Sequence, residues 1–243
     1  MSANRLPPCY WEALRQLAEP FELMKFSLIY DGDLPASGNS SKPEAASAIR
    51  NALHDQLADL WDSHVILRQL ARTARTQPYV GGFWGGGPVV YSPVELPAYR
   101  DPIPALKSGQ TDFCAPIEVP KVGHFIPMIR NSLYLACAVD ILFLRHEEPY
   151  NLMRQGGDLD GRIKTLFDGL KMPDPKNEYK GLDPTADPLY VLLEDDVLIS
   201  DVSIKSGRLL GSAAKKKHAV RLTIDVTVKV LRVFPQNQCL VGG

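Results

Sequence analysis

The chain has no Cys-x-x-Cys pair, no surplus of either charge and no apolar run long enough to span a membrane. Its cysteines, Cys9, Cys114, Cys137 and Cys239, are scattered, as are His54, His64, His124, His146 and His218. Such spacing argues against both a disulfide framework and a structural zinc site. Cys137 lies in an apolar run and reads as a small core residue. The formal net charge is −1, so a nucleic-acid surface must be a local patch. No apolar stretch reaches the roughly 18 residues of a membrane span. The start, MSANRLPPCYWEALRQ, lacks the apolar stretch of a signal peptide. The expectation is a soluble, cytoplasmic protein with no membrane contact.

What the chain does have is enough apolar residues, 45%, to build a core. The 243 residues read as one domain, 1–243, with an N-terminal extension at 1–21 and an insertion at 72–130. A short helix is expected at 10–18, then a strand from Met24 to Tyr30, closed by turn residues Asp31 to Pro35. Ser41, Pro43 and Glu44 form a helix start signal, and Ile49, Leu53, Leu57, Leu60 and Trp61 recur at helical spacing. This predicts a helix over about 43–70.

Residues 77–127 hold 7 Gly and 9 Pro, including VGGFWGGGP. The glycines lack the GK[ST] ending of a phosphate loop, so a long decorated loop is the reading, with short strands near Pro88–Tyr91. SLYLACAVDILFLR, Ser132 to Arg145, predicts a central strand buried on both sides. Asp140 within it must be paired, protonated or near a metal; the plainer option is a sheet end beside an Arg or Lys. Lys171 to Tyr190 reads as a loop, and two short apolar segments then flank Glu194, Asp195 and Asp196. From Ala219 to Phe234 the chain alternates, with Val220, Leu222, Ile224, Val226, Val228 and Val230 on one face of a half-buried strand.

The chemistry-bearing stretch is GGDLDGRIKTLFDGL, Gly156 to Leu170. Ile163, Leu166, Phe167 and Leu170 define the buried face of a helix. Asp160 suits the helix N-cap, and Asp158, in extended chain two residues earlier, is expected to project to the same side. Lys164 and Asp168 fall off the apolar stripe. Further on, EDD (194–196) sets three like charges in a row, a conflict that a divalent cation relieves. Mg²⁺ takes carboxylate oxygens and phosphate, and activates water for phosphodiester hydrolysis. Taken singly, each motif also has a plain structural reading. DLD is then a cap, Lys164–Asp168 an i,i+4 ion pair, and EDD a solvated turn.

In order, a D-x-D-x₃-K helix continuing FDxL, then EDD before a strand and a basic strand pair, resembles the RusA family of Holliday junction resolvases. The resemblance covers Asp158–Leu170 and Glu194–Lys205 and extends to LIYDGDLPASGNSSK (28–42). It implies an α+β fold: a mixed β-sheet with flanking helices on a β-α-β-α-β-β core, here carrying the long Gly/Pro-rich insertion. It also implies a metal-dependent endodeoxyribonuclease. Asp158, Asp160 and Asp196 would hold Mg²⁺ (Mn²⁺ being the substitute), with Lys164 the catalytic lysine. This chain differs from the family in Gly161, where D-[LV]-D-N is usual, in Gly156 and Gly157 in place of basic residues, and in a longer spacer before EDD. A relative acting on another branched or single-stranded substrate is therefore a second expectation.

Lys205, Arg208, Lys215, Lys216, Lys217 and Arg221 form a stretch without acids, expected to contact DNA phosphates. Asn39 and Lys42 are further phosphate-contact candidates. Two symmetric nicks in branched DNA need two active sites, so a homodimer is expected. The rival functions are a non-catalytic nucleic-acid- or partner-binding module on the same fold, and a nuclease effector of a toxin or defence system.

Overall fold

The computed structural model describes residues 24–35, 42–76, 111–112, 114–145, 158–176, 179–210, 219–233 and 237–241. The expected helix at 10–18 and the strands near Pro88–Tyr91 lie outside these residues. The architecture is α+β with mixed sheets and, among the described residues, three α-helices.

The main sheet has the order β1 (Lys25–Asp33), β9 (Ala219–Val230), β6 (Leu135–Arg145), β8 (Ile199–Arg208). β9 runs antiparallel to both neighbours, and β6 and β8 are parallel. A second sheet orders β4 (Ile117–Val119), β5 (Gly123–Ile129) and β7 (Leu189–Leu193), with β5 and β7 parallel. β2 (Arg75–Thr76) and β3 (Thr111–Asp112) form a small pair.

The alternation of β9 is as the sequence predicts: Val220, Leu222, Ile224, Val226 and Val228 are buried, and the residues between them face outward. β6 is central, but it is not buried on both sides. Leu135, Cys137, Val139, Ile141 and Phe143 face the core, while Asp140 and Leu142 are exposed. Strand period puts Asp140 on the open face, opposite Asp225 of β9, so water solvates it. A run of apolar residues was the signal for two-sided burial. Ala138 and Leu144, on the same face as Asp140, are only half-buried, because no described layer covers that side.

The long helix divides into α1 (Lys42–Ser63) and α2 (Val65–Ala74), with hydrogen bonding continued across the join by His64. α1 buries Ala46, Ile49, Leu53, Leu57 and Trp61, at the spacing that predicted it. Its Gln56 side chain bonds both the N–H and the C=O of Ile29, at 2.9 and 2.7 Å. These are outward-facing groups of edge strand β1, so the helix covers an edge open to strand addition.

β7 is buried along its whole length, since it has a layer on each side. Tyr190 and Leu192 join the main core, while Leu189 and Val191 pack with Val119, Phe125, Met172 and Leu182.

α3 (Asp158–Leu170) packs against α1, with Ile163, Leu166 and Leu170 buried and Phe167 half-buried, the face the sequence indicates. Gly169 makes the approach close. A Cβ there would lie 2.7 Å from Ile49 Cβ. Alanine normally helps a helix by up to about 1 kcal/mol over glycine. Here overpacking costs roughly 1–3 kcal/mol. Gly169→Ala should therefore destabilise the protein, read as a lower urea midpoint; a raised midpoint would refute this packing account.

Candidate functional site

α3 begins at Asp158, which changes the expected geometry of its acids. Asp160 is not the N-cap but the third helical residue. Two helical positions are about 200° apart around the axis. The extended-chain argument that set Asp158 and Asp160 on one side therefore does not apply. The Asp158 side chain lies outside the described atoms.

Asp160, Lys164, Asp168 and Lys171 recur at i, i+4, i+8 and i+11, one stripe of alternating charge. Lys164 pairs with Asp160 at 3.0 Å, both side chains well exposed. The expected Lys164–Asp168 pair is replaced. Asp168 is only 9% exposed and lies between two other lysines. Lys42 Nζ, from the first residue of α1, is 2.5 Å from Oδ2, in ionic contact but out of hydrogen-bond alignment. Lys171 Nζ is 3.5 Å from Oδ1. Lys42, expected at phosphate, is thus held by an acid of α3.

The end of α3 is fixed by Arg50 of α1, 1% exposed. Its Nε donates to the Lys171 carbonyl at 2.8 Å, and its Nη2 donates to the Asp168 carbonyl. These are helix-end carbonyls with no partner within the helix, at the negative end of its dipole. The chain then runs beside β7, where Lys171 bridges Leu193 and the Met172 N–H bonds the Leu193 carbonyl at 3.0 Å.

That bridge brings EDD to α3, and the three acids take different roles. Glu194 accepts the Asn131 N–H at 2.7 Å and donates its own N–H to the Ile129 carbonyl at 2.9 Å, which ties β7 to the turn after β5. Asp195 caps the 3₁₀ turn Asp196–Leu198 by accepting the Val197 N–H at 3.0 Å. Asp196 meets Lys171, at 3.4 Å.

The Val197 N–H holds the Asp195 carboxyl below the usual carboxylate range, with Asp196 and Lys171 contributing after it. A lowered folded-state pKa adds stability above the unfolded value and loses it as pH falls through the folded value. Asparagine caps equally well but does not titrate. Asp195→Asn should therefore lose less stability than the wild type between about pH 5 and pH 2. Parallel losses in acid-unfolding curves would remove Asp195 from the account.

The structure thus gathers Asp196, Lys171, Asp168 and Lys42 at the C-terminal end of α3, and Asp160 with Lys164 toward its start. Asp160 and Lys171 are about 16 Å apart along the helix axis. Among the described residues, no three His, Cys, Asp or Glu side chains gather as a metal-ligand set. In chemistry the acids suit Mg²⁺ nonetheless. Asp160 and Asp196 offer hard oxygens, and their side chains are 71% and 38% exposed; the Lys164–Asp160 pair is weak and solvent-facing, whereas Lys171 meets Asp196 in a part-buried contact.

Lys205 is exposed on β8. Asn39, Lys215, Lys216 and Lys217 lie outside the described residues. Sequence reasoning missed Lys171 and Arg50. The stripe spacing pointed toward Lys171, but nothing local marks Arg50. No described helix is long and apolar enough to cross a membrane. No protein-family model, curated protein or solved structure matches the chain.

Proposed function

We propose that the chain is a Mg²⁺-dependent, structure-selective DNA endonuclease resembling the RusA-like Holliday junction resolvases, acting on branched DNA in the cytoplasm as a homodimer. One observation carries the reading. Asp196, far along the chain from Asp158 and Asp160, returns to the C-terminal end of the helix whose start bears them and Lys164. In this reading Asp158, Asp160 and Asp196 would hold Mg²⁺ or Mn²⁺, although the described arrangement, with Asp160 at the start of α3 and Asp196 beside Lys171 past its end, does not fit the three as ligands of one ion. The chemistry Mg²⁺ supplies when bound is activation of a water and stabilisation of the leaving oxygen. Lys164 leaves its exposed pair with Asp160 at little cost and neutralises charge on the scissile phosphate. Lys205, Asn39 and the lysines at 215–217 contact flanking phosphates, which position the DNA without reading its sequence.

The test is incubation of labelled four-way junction, flap, duplex and single-stranded DNA with the protein, in Mg²⁺ and in EDTA. Symmetric, metal-dependent nicks in the junction alone are the expected result. Cutting of duplex or RNA without selectivity would favour an effector nuclease instead. A second reading, a non-catalytic binding module, draws on the lysines that already hold Asp160 and Asp196. Binding of DNA without cutting, in Mg²⁺ and in Mn²⁺ alike, would establish it.

A further inference from the structure

We infer that the free edge of β8 is a self-docking surface, where β8 pairs antiparallel with β8 of a second copy of this chain about a two-fold axis through Ser203. The inference rests on the homodimer of the proposed function and is independent of its metal chemistry.

β1 and β8 are the two edges of the main sheet. Gln56 covers the first by bonding the N–H and C=O of Ile29. The second is a strand of 10 residues, mostly exposed and without proline. Its outward N–H and C=O groups over 199–207 meet no partner among the described residues. Such an edge is a template for another strand. Its side chains select a second β8. Asp201, Ser203 and Lys205 stand on the open face of the sheet, beside Ala138, Asp140 and Leu142, while Val202 and Ile204 stand on the core face, beside Val139 and Ile141. With the axis at Ser203, Asp201 of each copy lies opposite Lys205 of the other, and Val202 lies opposite Ile204. Opposite charges and apolar side chains paired in this way stabilise a sheet. Moving the axis one residue separates the charges, and moving it two sets Asp201 against Asp201 or Lys205 against Lys205. Both charges are available. Lys229 and the Ser200 hydroxyl engage Oδ2 of Asp201, which leaves Oδ1, and no described acid lies on Lys205. Side chains project from the sheet face, so Lys205 stays open to phosphate as well. Val202 is 46% exposed and Ile204 packs against the main core, so pairing extends that core. One patch meeting itself closes as a two-fold dimer. The outer edges of the joined sheet are then both β1, which α1 covers, so assembly stops at two.

The experiment is sedimentation equilibrium of the full-length protein, with circular dichroism to establish folding. The wild type should sediment at twice its chain mass of 26.9 kDa. Lys205→Glu sets a second acid against Asp201, and Asp201→Lys sets a second cation against Lys205. Each alone should raise the dimer dissociation constant about tenfold. Mixing the two variants should restore the dimer, because each supplies the charge the other lacks; damage to folding cannot produce that recovery. If Asp201→Lys does not fold, Val202→Lys serves on the other face, with weakening of the same size expected. Weakening by both charge variants without recovery on mixing would overturn the register at Ser203. A dimer unchanged by Lys205→Glu and by Val202→Lys would overturn the β8 interface while leaving the homodimer. A monomeric wild type would overturn both, and the cleavage assay judges the nuclease reading separately.

Discussion

An Asp160→Asn protein should fold as the wild type does and cut no DNA. The side chain is 71% exposed and its one described ion pair, with Lys164, is equally open to water. Such pairs contribute roughly 0–1 kcal/mol, so the melting temperature should scarcely move. The amide keeps the shape of the carboxylate and removes its charge. Loss of one preorganised electrostatic group in an active site costs on the order of a hundred- to a thousandfold in rate. Here the group is also a proposed metal ligand, so cleavage of a four-way junction in Mg²⁺ should fall to background. DNA binding, proposed to draw on lysines elsewhere, should largely survive. Wild-type cleavage rates in this variant would remove the start of α3 from the active site.

Arg50→Met should be the most damaging single change to the fold among those considered. The guanidinium is 1% exposed and donates to the carbonyls of Asp168 and Lys171. Methionine fills much of the same volume but offers no donor. Each buried carbonyl left without a partner costs about 1–3 kcal/mol, so a total loss near 3 kcal/mol is expected. For a chain of this size that lowers the melting temperature by roughly 6–12 °C. The change also reaches the site. Lys171 and Asp168 sit at the helix end that Arg50 fixes, so fraying there loosens both contacts of the Lys171 ammonium. Thermal melts give the first effect, and hydrogen exchange at Lys171 and Met172 gives the second. An unchanged melting temperature would mean that water replaces the lost donors.

The fold was legible wherever periodicity speaks. Helix α1 follows from Ile49, Leu53, Leu57 and Trp61, strand β9 from the alternation of Val220 to Val228, and the buried face of α3 from Ile163, Leu166 and Leu170. These signals are local, because a residue's face is set by its distance along one element. Local reasoning failed where burial depends on a second layer. The apolar run of β6 looked two-sided, yet Asp140 and Leu142 are exposed. β7, only five residues long, is the strand that is buried throughout.

The site divides in the same way. Residue spacing put Lys164 and Asp168 off the apolar stripe of α3. It also singled out the acidic triplet at Glu194–Asp196. Only the tertiary structure decided which acid of the triplet meets the helix, and at which end. The bridge between Lys171 and Leu193 carries Asp196 to the C-terminal end of α3, while Asn131 engages Glu194 and the Val197 N–H engages Asp195. Asp168 looked like a surface partner for Lys164 and is instead a buried acid between Lys42 and Lys171. The reason is physical: a charge's partner is set by which elements pack together, and strands and helices distant in sequence make that choice.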